Sequence, residues 1–214
     1  MQKMIVTGSL LLLATQALAH HPLAGMPMES FTDGFLSGVG HPLLGFDHLF
    51  FVMLVGIAAI LTGRRLLAPL AYILTMLVGC VVTALWAPVP ATELMIALSL
   101  LVLGSMLLSG HRFGLSTVLI AFAGFGLFHG AAFGESLATQ EAGFGLQVLT
   151  GYLLGLGLTQ LAVAVATGLF CMMLWKVSHP RALQPRLAGA MVAGIGLYLT
   201  LEHFEDSLIR VISS

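Results

Sequence analysis

Long apolar runs separated by short breaks dominate the chain. A helix that crosses a bilayer needs about twenty mostly apolar residues, and the chain after residue 42 offers six runs of roughly this kind. The breaks between them, such as Gly63-Arg64-Arg65 and Pro88-Val89-Pro90, are turn and loop signals. The pattern predicts an all-α integral membrane protein with a bundle of six transmembrane helices. The predicted spans are Leu43–Thr62, Leu66–Trp86, Leu94–Leu108, Leu115–Phe133, Val148–Trp175 and Leu187–Leu201.

The composition agrees with a membrane location. Apolar residues make up 58% of the 214 residues and charged residues only 8%, whereas about a quarter of a soluble domain is charged. The net charge is −1 and no basic run is present to neutralise phosphates, so nucleic acid is excluded as a partner. The predicted partner is the lipid bilayer.

The N-terminus has the pattern of a secretory signal peptide. Lys3 supplies the positive region, residues 5–13 the apolar core, and Ala17-Leu18-Ala19 an A-x-A cleavage site. Residues 1–19 are therefore predicted to be removed, which would leave His20 and His21 at the mature N-terminus. An uncleaved first transmembrane helix is the alternative.

Basic residues fall in alternate loops. Arg64 and Arg65 follow the first span, Arg112 the third, and Lys176, Arg181 and Arg186 the fifth. Loops rich in Lys and Arg stay on the cytoplasmic side, so both mature termini are predicted to lie outside. The predicted organisation is an extracytoplasmic segment at 20–42 with a re-entrant stretch, a transmembrane domain at 43–203 and an extracytoplasmic tail at 204–214. A multi-pass protein of the bacterial inner (cytoplasmic) membrane is expected.

Ionisable residues stand where this chain is otherwise hydrocarbon. His41, Asp47 and His48 open the first span; such residues are costly inside a membrane and usually mark an ion or substrate path. Imidazole and carboxylate suit divalent metals such as nickel, cobalt or zinc. On a straight helix His41 and His48 would be about 10.5 Å apart along the axis, too far to bind one ion together. Pro42 suggests a solution, because it is predicted to start the helix and leave His41 outside it.

A second group of residues lies in the fourth span. Gly126, Gly130 and Gly134 recur every four residues, a stripe that lets membrane helices approach closely. His129 adjoins the stripe and is a predicted metal ligand together with Glu135. On a continuous helix the two point about 120° apart. Either the helix breaks near Gly134, or Glu135 serves a second site nearer the outer surface.

Four further residues are accessory candidates for metal binding. Glu202 and His203 lie at the outer end of the sixth span, and His20 and His21 lie in the outer N-terminal segment. The alternative is that the segment is a linker with incidental histidines. For Asp47 and His48 the alternative is that Asp47 caps the helix or pairs at the membrane interface and that His48 is simply interfacial.

At these residues the chain resembles the HupE/UreJ family of membrane proteins. The two motifs that carry the resemblance are His41-x5-Asp47-His48 and the run from Phe128 to Glu135, Phe-His-Gly-Ala-Ala-Phe-Gly-Glu. Membership would imply a nickel or cobalt permease, often associated with maturation of hydrogenase or urease. It would also imply that His41, Asp47, His48, His129 and Glu135 are important for uptake.

The leading hypothesis is transport of Ni²⁺ or Co²⁺ into the cytoplasm from an outer His/Asp/Glu site. No enzyme activity and no tightly bound cofactor are expected, and the chain contains no nucleotide-binding P-loop. Two alternatives come from other classes. One is an intramembrane zinc hydrolase with three histidines and an acid around zinc. The other is a haem protein with two histidine ligands drawn from His48, His129 and His203.

Overall fold

A computed structural model of the chain describes residues 28–139 and 143–213. All regular structure in these ranges is helical, as predicted. The seven helices are α1 (Phe31–Leu44), α2 (Phe46–Leu61), α3 (Leu67–Leu85), α4 (Thr92–Ser109), α5 (Leu115–Ala138), α6 (Leu146–Met173) and α7 (Leu183–Ser213). By length and hydropathy, α3 to α7 can each cross a membrane, and α1 with α2 makes a sixth span if the bent pair counts as one. The predicted signal peptide, His20 and His21 lie outside the described residues.

Helices α1 and α2 meet at a sharp bend of 82°. The break lies at Gly45, whose backbone is extended, and not at Pro42, which lies inside α1. The prediction that Pro42 leaves His41 outside the helix is therefore wrong. Pro42 removes one intrahelical hydrogen bond, but α1 is capped at its start by Ser30 and Asp33 and packs against α6, and these contacts hold it helical past the proline.

Among the described residues, three pairs of helices share the most extensive contacts, with their backbones touching. They are α1 with α6, α3 with α5, and α4 with α7, and glycine lies at each contact. A Cβ added to Gly38 would overlap the Tyr152 carbonyl oxygen, and one added to Gly130 would overlap the Met76 carbonyl oxygen. In α4, a Cβ on Gly104 would meet the Gly189 carbonyl oxygen at 2.7 Å. Gly126 and Gly134 extend the contact between α3 and α5.

Helix α2 occupies the centre of the bundle. It contacts every other helix of the described chain, and its residues Phe51, Leu54 and Val55 are at most 1% exposed. His48 lies one turn before Phe51 and is buried as well.

The two ends of the bundle carry opposite charge. At one end, a cavity of about 330 Å³ is lined by Asp47, Glu93 and Glu202, and we call this the acidic end. At the other, Thr62, Arg112 and Pro180 surround a cavity of about 40 Å³, and we call this the basic end. The predicted separation of charge is thus present in the described residues. Which end faces the cytoplasm stays a prediction.

We expect Gly130→Ala to destabilise the bundle, because its Cβ would collide with the backbone of α3. Overpacking of this kind costs about 1–3 kcal/mol. Gly124→Ala on the same helix is the matched control, since a Cβ there meets nothing within 4 Å. Thermal unfolding of the purified proteins in detergent would test this. Equal stability of the two variants would contradict the packing described here.

Candidate metal site

His48 and His129, one histidine from each of the two sequence motifs, contact each other inside the helix bundle. His48 on α2 is 7% exposed and His129 on α5 is 0% exposed. Their Nδ1 atoms lie 2.7 Å apart. Only one proton fits between two nitrogens at this distance, so one ring donates an N–H and the other accepts it with its lone pair. We call these two residues the imidazole pair.

Ser99 on α4 decides which ring donates. Its hydroxyl donates to the Ile96 carbonyl oxygen at 2.6 Å and lies 2.9 Å from His129 Nε2. Because the one hydroxyl proton is already used, the Ser99 oxygen accepts from an Nε2–H of His129. The Nδ1 atom of His129 is then unprotonated and accepts from the Nδ1–H of His48, which leaves the lone pair of His48 on Nε2.

His41 is held in the same way by a second hydroxyl. Tyr152 on α6 donates to the Phe133 carbonyl oxygen at 3.3 Å, and its oxygen lies 3.0 Å from His41 Nδ1. The Tyr152 hydroxyl thus bridges the His41 ring and the Phe133 carbonyl oxygen. The Phe133 ring contacts both His41 and His48, with centroid distances of 5.0 and 4.3 Å. His41 thus lies next to the imidazole pair, with an aromatic ring packed against both.

Asp47 links the imidazole pair to the acidic end. Its Oδ1 accepts a hydrogen bond of 2.8 Å from the His48 backbone N–H, in the first turn of α2, where a carboxylate is favoured by the helix dipole. Asp47 also lines the acidic-end cavity with Glu93, Glu202 and His203. The accessory candidates Glu202 and His203 therefore share a cavity with a predicted ligand.

Glu135 does not join the imidazole pair. Helix α5 continues unbroken past both His129 and Glu135, so the two side chains leave it in different directions. The Thr92 hydroxyl lies 3.4 Å from Glu135 Oε1, and Glu93 is close enough to repel this carboxylate. Of the two arrangements that the sequence allowed, the structure has the continuous helix with Glu135 near the start of α4.

The predicted ligands therefore fall into two groups. Across residues 28–139 and 143–213, no three His, Cys, Asp or Glu side chains are arranged to hold one ion. Two nitrogens that are each about 2.1 Å from one metal lie about 3.0 Å apart at a right angle and about 3.4 Å apart in a tetrahedral site. The two Nδ1 atoms at 2.7 Å are closer than this, and both rings have to turn before their lone pairs point at an ion and not at each other.

Sequence reasoning did not single out Ser99, Tyr152 or Glu93. Ser99 and Tyr152 are uncharged residues inside apolar helices, so nothing in their spacing connects them with a histidine. The available signal was only that a polar residue in a membrane span needs an internal partner. Which partner it has depends on how α4 and α6 pack.

Comparison with known proteins agrees with the motifs. A sequence model of the family described as "HupE / UreJ protein" matches residues 8–199. "Protein HupE" from Rhizobium leguminosarum bv. viciae is 30% identical over 164 residues, which cover 73% of this chain and 83% of that protein. No solved structure matches the chain.

We expect Ser99→Ala to let the His129 ring adopt both tautomers, since the Nε2–H loses its acceptor. Nitrogen chemical shifts of ¹⁵N-histidine-labelled protein would show a mixture of ring tautomers in place of one. The unpaired N–H should lower stability by about 1–3 kcal/mol, and Ser99→Thr should restore both properties.

Ser109→Ala is the matched control for this experiment. The Ser109 hydroxyl donates to the Met106 carbonyl oxygen at 2.7 Å on the same helix, but it is exposed. An unchanged His129 spectrum in Ser99→Ala would show that the assigned hydrogen bond does not set the tautomer.

Proposed function

The chain belongs to the HupE/UreJ family of membrane proteins, and from this premise we propose that it carries Ni²⁺ or Co²⁺ through the bilayer into the cytoplasm. The observation that carries the proposal is the imidazole pair, two buried histidines from different helices with Nδ1 atoms 2.7 Å apart. Imidazole suits nickel and cobalt, whereas magnesium and calcium prefer sites built of oxygen alone. The imported ion would be used in the maturation of a nickel enzyme such as hydrogenase or urease.

We place the acidic end outside and the basic end in the cytoplasm of the bacterial inner membrane. The support is the charge itself: Arg64, Arg65, Arg112 and Arg181 lie at or beside one end, and basic loops are retained on the cytoplasmic side. The cavity lined by Asp47, Glu93 and Glu202 then opens toward the source of the ion.

Transport would begin in the acidic-end cavity. Three carboxylates around one concave surface raise the local concentration of a divalent cation. Asp47 adjoins His48 in sequence and accepts a hydrogen bond from its backbone, so an ion at this carboxylate is next to the imidazole pair. Carboxylate oxygens replace the first waters of the ion, and the imidazole nitrogens replace later ones.

The imidazole pair has to change before it can bind. His129 already presents its unprotonated Nδ1, because Ser99 accepts from its Nε2–H. His48 uses its Nδ1–H in the hydrogen bond between the rings. Moving that proton to Nε2 frees the second Nδ1 lone pair, and no proton is gained or lost. The hydrogen bond between the rings therefore occupies both Nδ1 atoms until an ion displaces it.

Neither alternative function gains support from this geometry. A haem iron with two histidine ligands would have to lie between the rings, whereas His48 and His129 bond directly to each other. A zinc hydrolase needs three ligands and an open position for water. Within the described parts of the chain no third ligand of the required type stands with the pair.

We expect His48→Ala and His129→Ala to lower the initial rate of Ni²⁺ uptake at least tenfold, because each removes half of the imidazole pair. Accumulation of ⁶³Ni in cells with equal amounts of membrane-inserted protein measures the rate. His111→Ala is the control, since His111 is exposed near the basic end. Wild-type uptake by both variants would refute the proposal.

We expect Glu93→Gln to raise the KM for Ni²⁺ several-fold with little change in the maximal rate, because this carboxylate collects the ion but does not line the imidazole pair. The difference from wild type should shrink as ionic strength rises. Glu205→Gln is the control, because Glu205 is exposed on α7 outside the cavity lining. If Glu93→Gln and Glu205→Gln have the same KM, the acidic-end cavity is not part of the ion path.

A further inference from the structure

Two polar side chains lie fully buried in the middle of the bundle. Tyr72 on α3 and Gln160 on α6 are both 0% exposed, and the Tyr72 hydroxyl donates to Gln160 Oε1 at 2.5 Å. Polar side chains at this depth are costly, and in membrane proteins they commonly line an ion or substrate path. Neither residue belongs to the motifs or to the imidazole pair.

The Tyr72–Gln160 pair lies next to His129, on the side toward the basic end. In the contact between α3 and α5, Gly130 packs against Met76 and Gly126 against Tyr72. Tyr72 is therefore one helical turn, about 6 Å, farther toward the basic end than Met76. The Tyr72 ring centroid is 6.0 Å from that of His129. The Phe51 ring packs against both, at 4.1 Å from His129 and 5.2 Å from Tyr72.

The oxygen and sulfur atoms of Tyr72, Gln160 and Met76 can each accept a further bond. The Gln160 amide nitrogen lies 3.7 Å from Met76 Sδ, and a thioether is a weak acceptor. The carbonyl oxygen of Gln160 and the phenol oxygen of Tyr72 each have lone pairs beyond their mutual hydrogen bond. Two neutral oxygens and one sulfur thus belong to one hydrogen-bonded group around Gln160, beside the imidazole pair.

We propose that Tyr72, Gln160 and Met76 form a second, inner subsite for the transported divalent cation, which receives the ion after the imidazole pair. This inference rests on the proposed transport function and extends the path toward the cytoplasm. Neutral oxygen and thioether ligands hold Ni²⁺ or Co²⁺ less tightly than two imidazoles do. Conduction requires such a site, which binds well enough to receive the ion and weakly enough to release it. The Phe51 ring has to move aside for the transfer.

The competing explanation is that the hydrogen bond only joins α3 to α6. Interhelical hydrogen bonds of this kind stabilise the association of membrane helices. Tyr72→Phe separates the two explanations, because it keeps the ring and its packing and removes one oxygen. Gln160→Leu removes the other oxygen. Thr200→Val is the matched control, since it removes a buried hydroxyl that bonds to the Gly196 carbonyl oxygen at 2.7 Å in α7.

The experiment compares binding with transport in the same purified proteins. Ni²⁺ binding is measured by calorimetry in detergent, and ⁶³Ni²⁺ uptake is measured in proteoliposomes. For Tyr72→Phe and Gln160→Leu we expect the affinity for Ni²⁺ to stay within twofold of wild type, and the maximal uptake rate to fall at least tenfold. Thr200→Val should match wild type in both measurements, and His129→Ala should lose both binding and uptake.

Each outcome bears on one proposal. Wild-type uptake by Tyr72→Phe overturns the inner subsite if His129→Ala is inactive, whereas wild-type uptake by His129→Ala overturns the transport site itself. An equal loss in Thr200→Val and Tyr72→Phe also overturns the subsite, since removal of any buried hydroxyl then suffices. If Gln160→Leu does not fold, Tyr72→Phe decides alone.

Discussion

Close contact between helix backbones is the constraint on which the rest of this structure depends. Lipid tails are as apolar as leucine, so membrane helices associate through packing and hydrogen bonds and not through the hydrophobic effect. Glycine lets α3 and α5 touch at Gly130 and Met76, and α1 and α6 at Gly38 and Tyr152. Three such pairs surround α2. They fix the helices around α2, and with them His129 on α5 beside His48 on α2.

The second constraint is that buried polar groups need internal partners. Hydroxyl groups of Ser99 and Tyr152 satisfy one nitrogen each of His129 and His41, and the Ser99 contact selects the tautomer of His129. Metal-binding histidines in general have such a partner on the second nitrogen. The hydrogen bond between His48 and His129 likewise gives each of these buried rings an internal partner.

Much of the fold could be predicted from the chain, because a bilayer demands long apolar helices. The five long spans follow directly from the apolar runs. The prediction that a helix starts at Pro42 and leaves His41 outside it was wrong, since the local preference of proline competes with the contacts of α1 along α6. The start of α1 could have been predicted from its capping box, in which the Ser30 and Asp33 side chains accept hydrogen bonds from each other's backbone N–H groups.

The sequence by itself determined the helices, the separation of charge between the two ends, and the residues that carry ligand chemistry. These properties depend on neighbours along the chain and on the solvent that each segment meets. Only the tertiary structure decided that His48 and His129, 81 residues apart, form one pair, that Glu135 stands apart from it, and that Tyr72 meets Gln160. Those contacts depend on how the helices are rotated and aligned against each other, and interhelical packing through glycine sets that alignment.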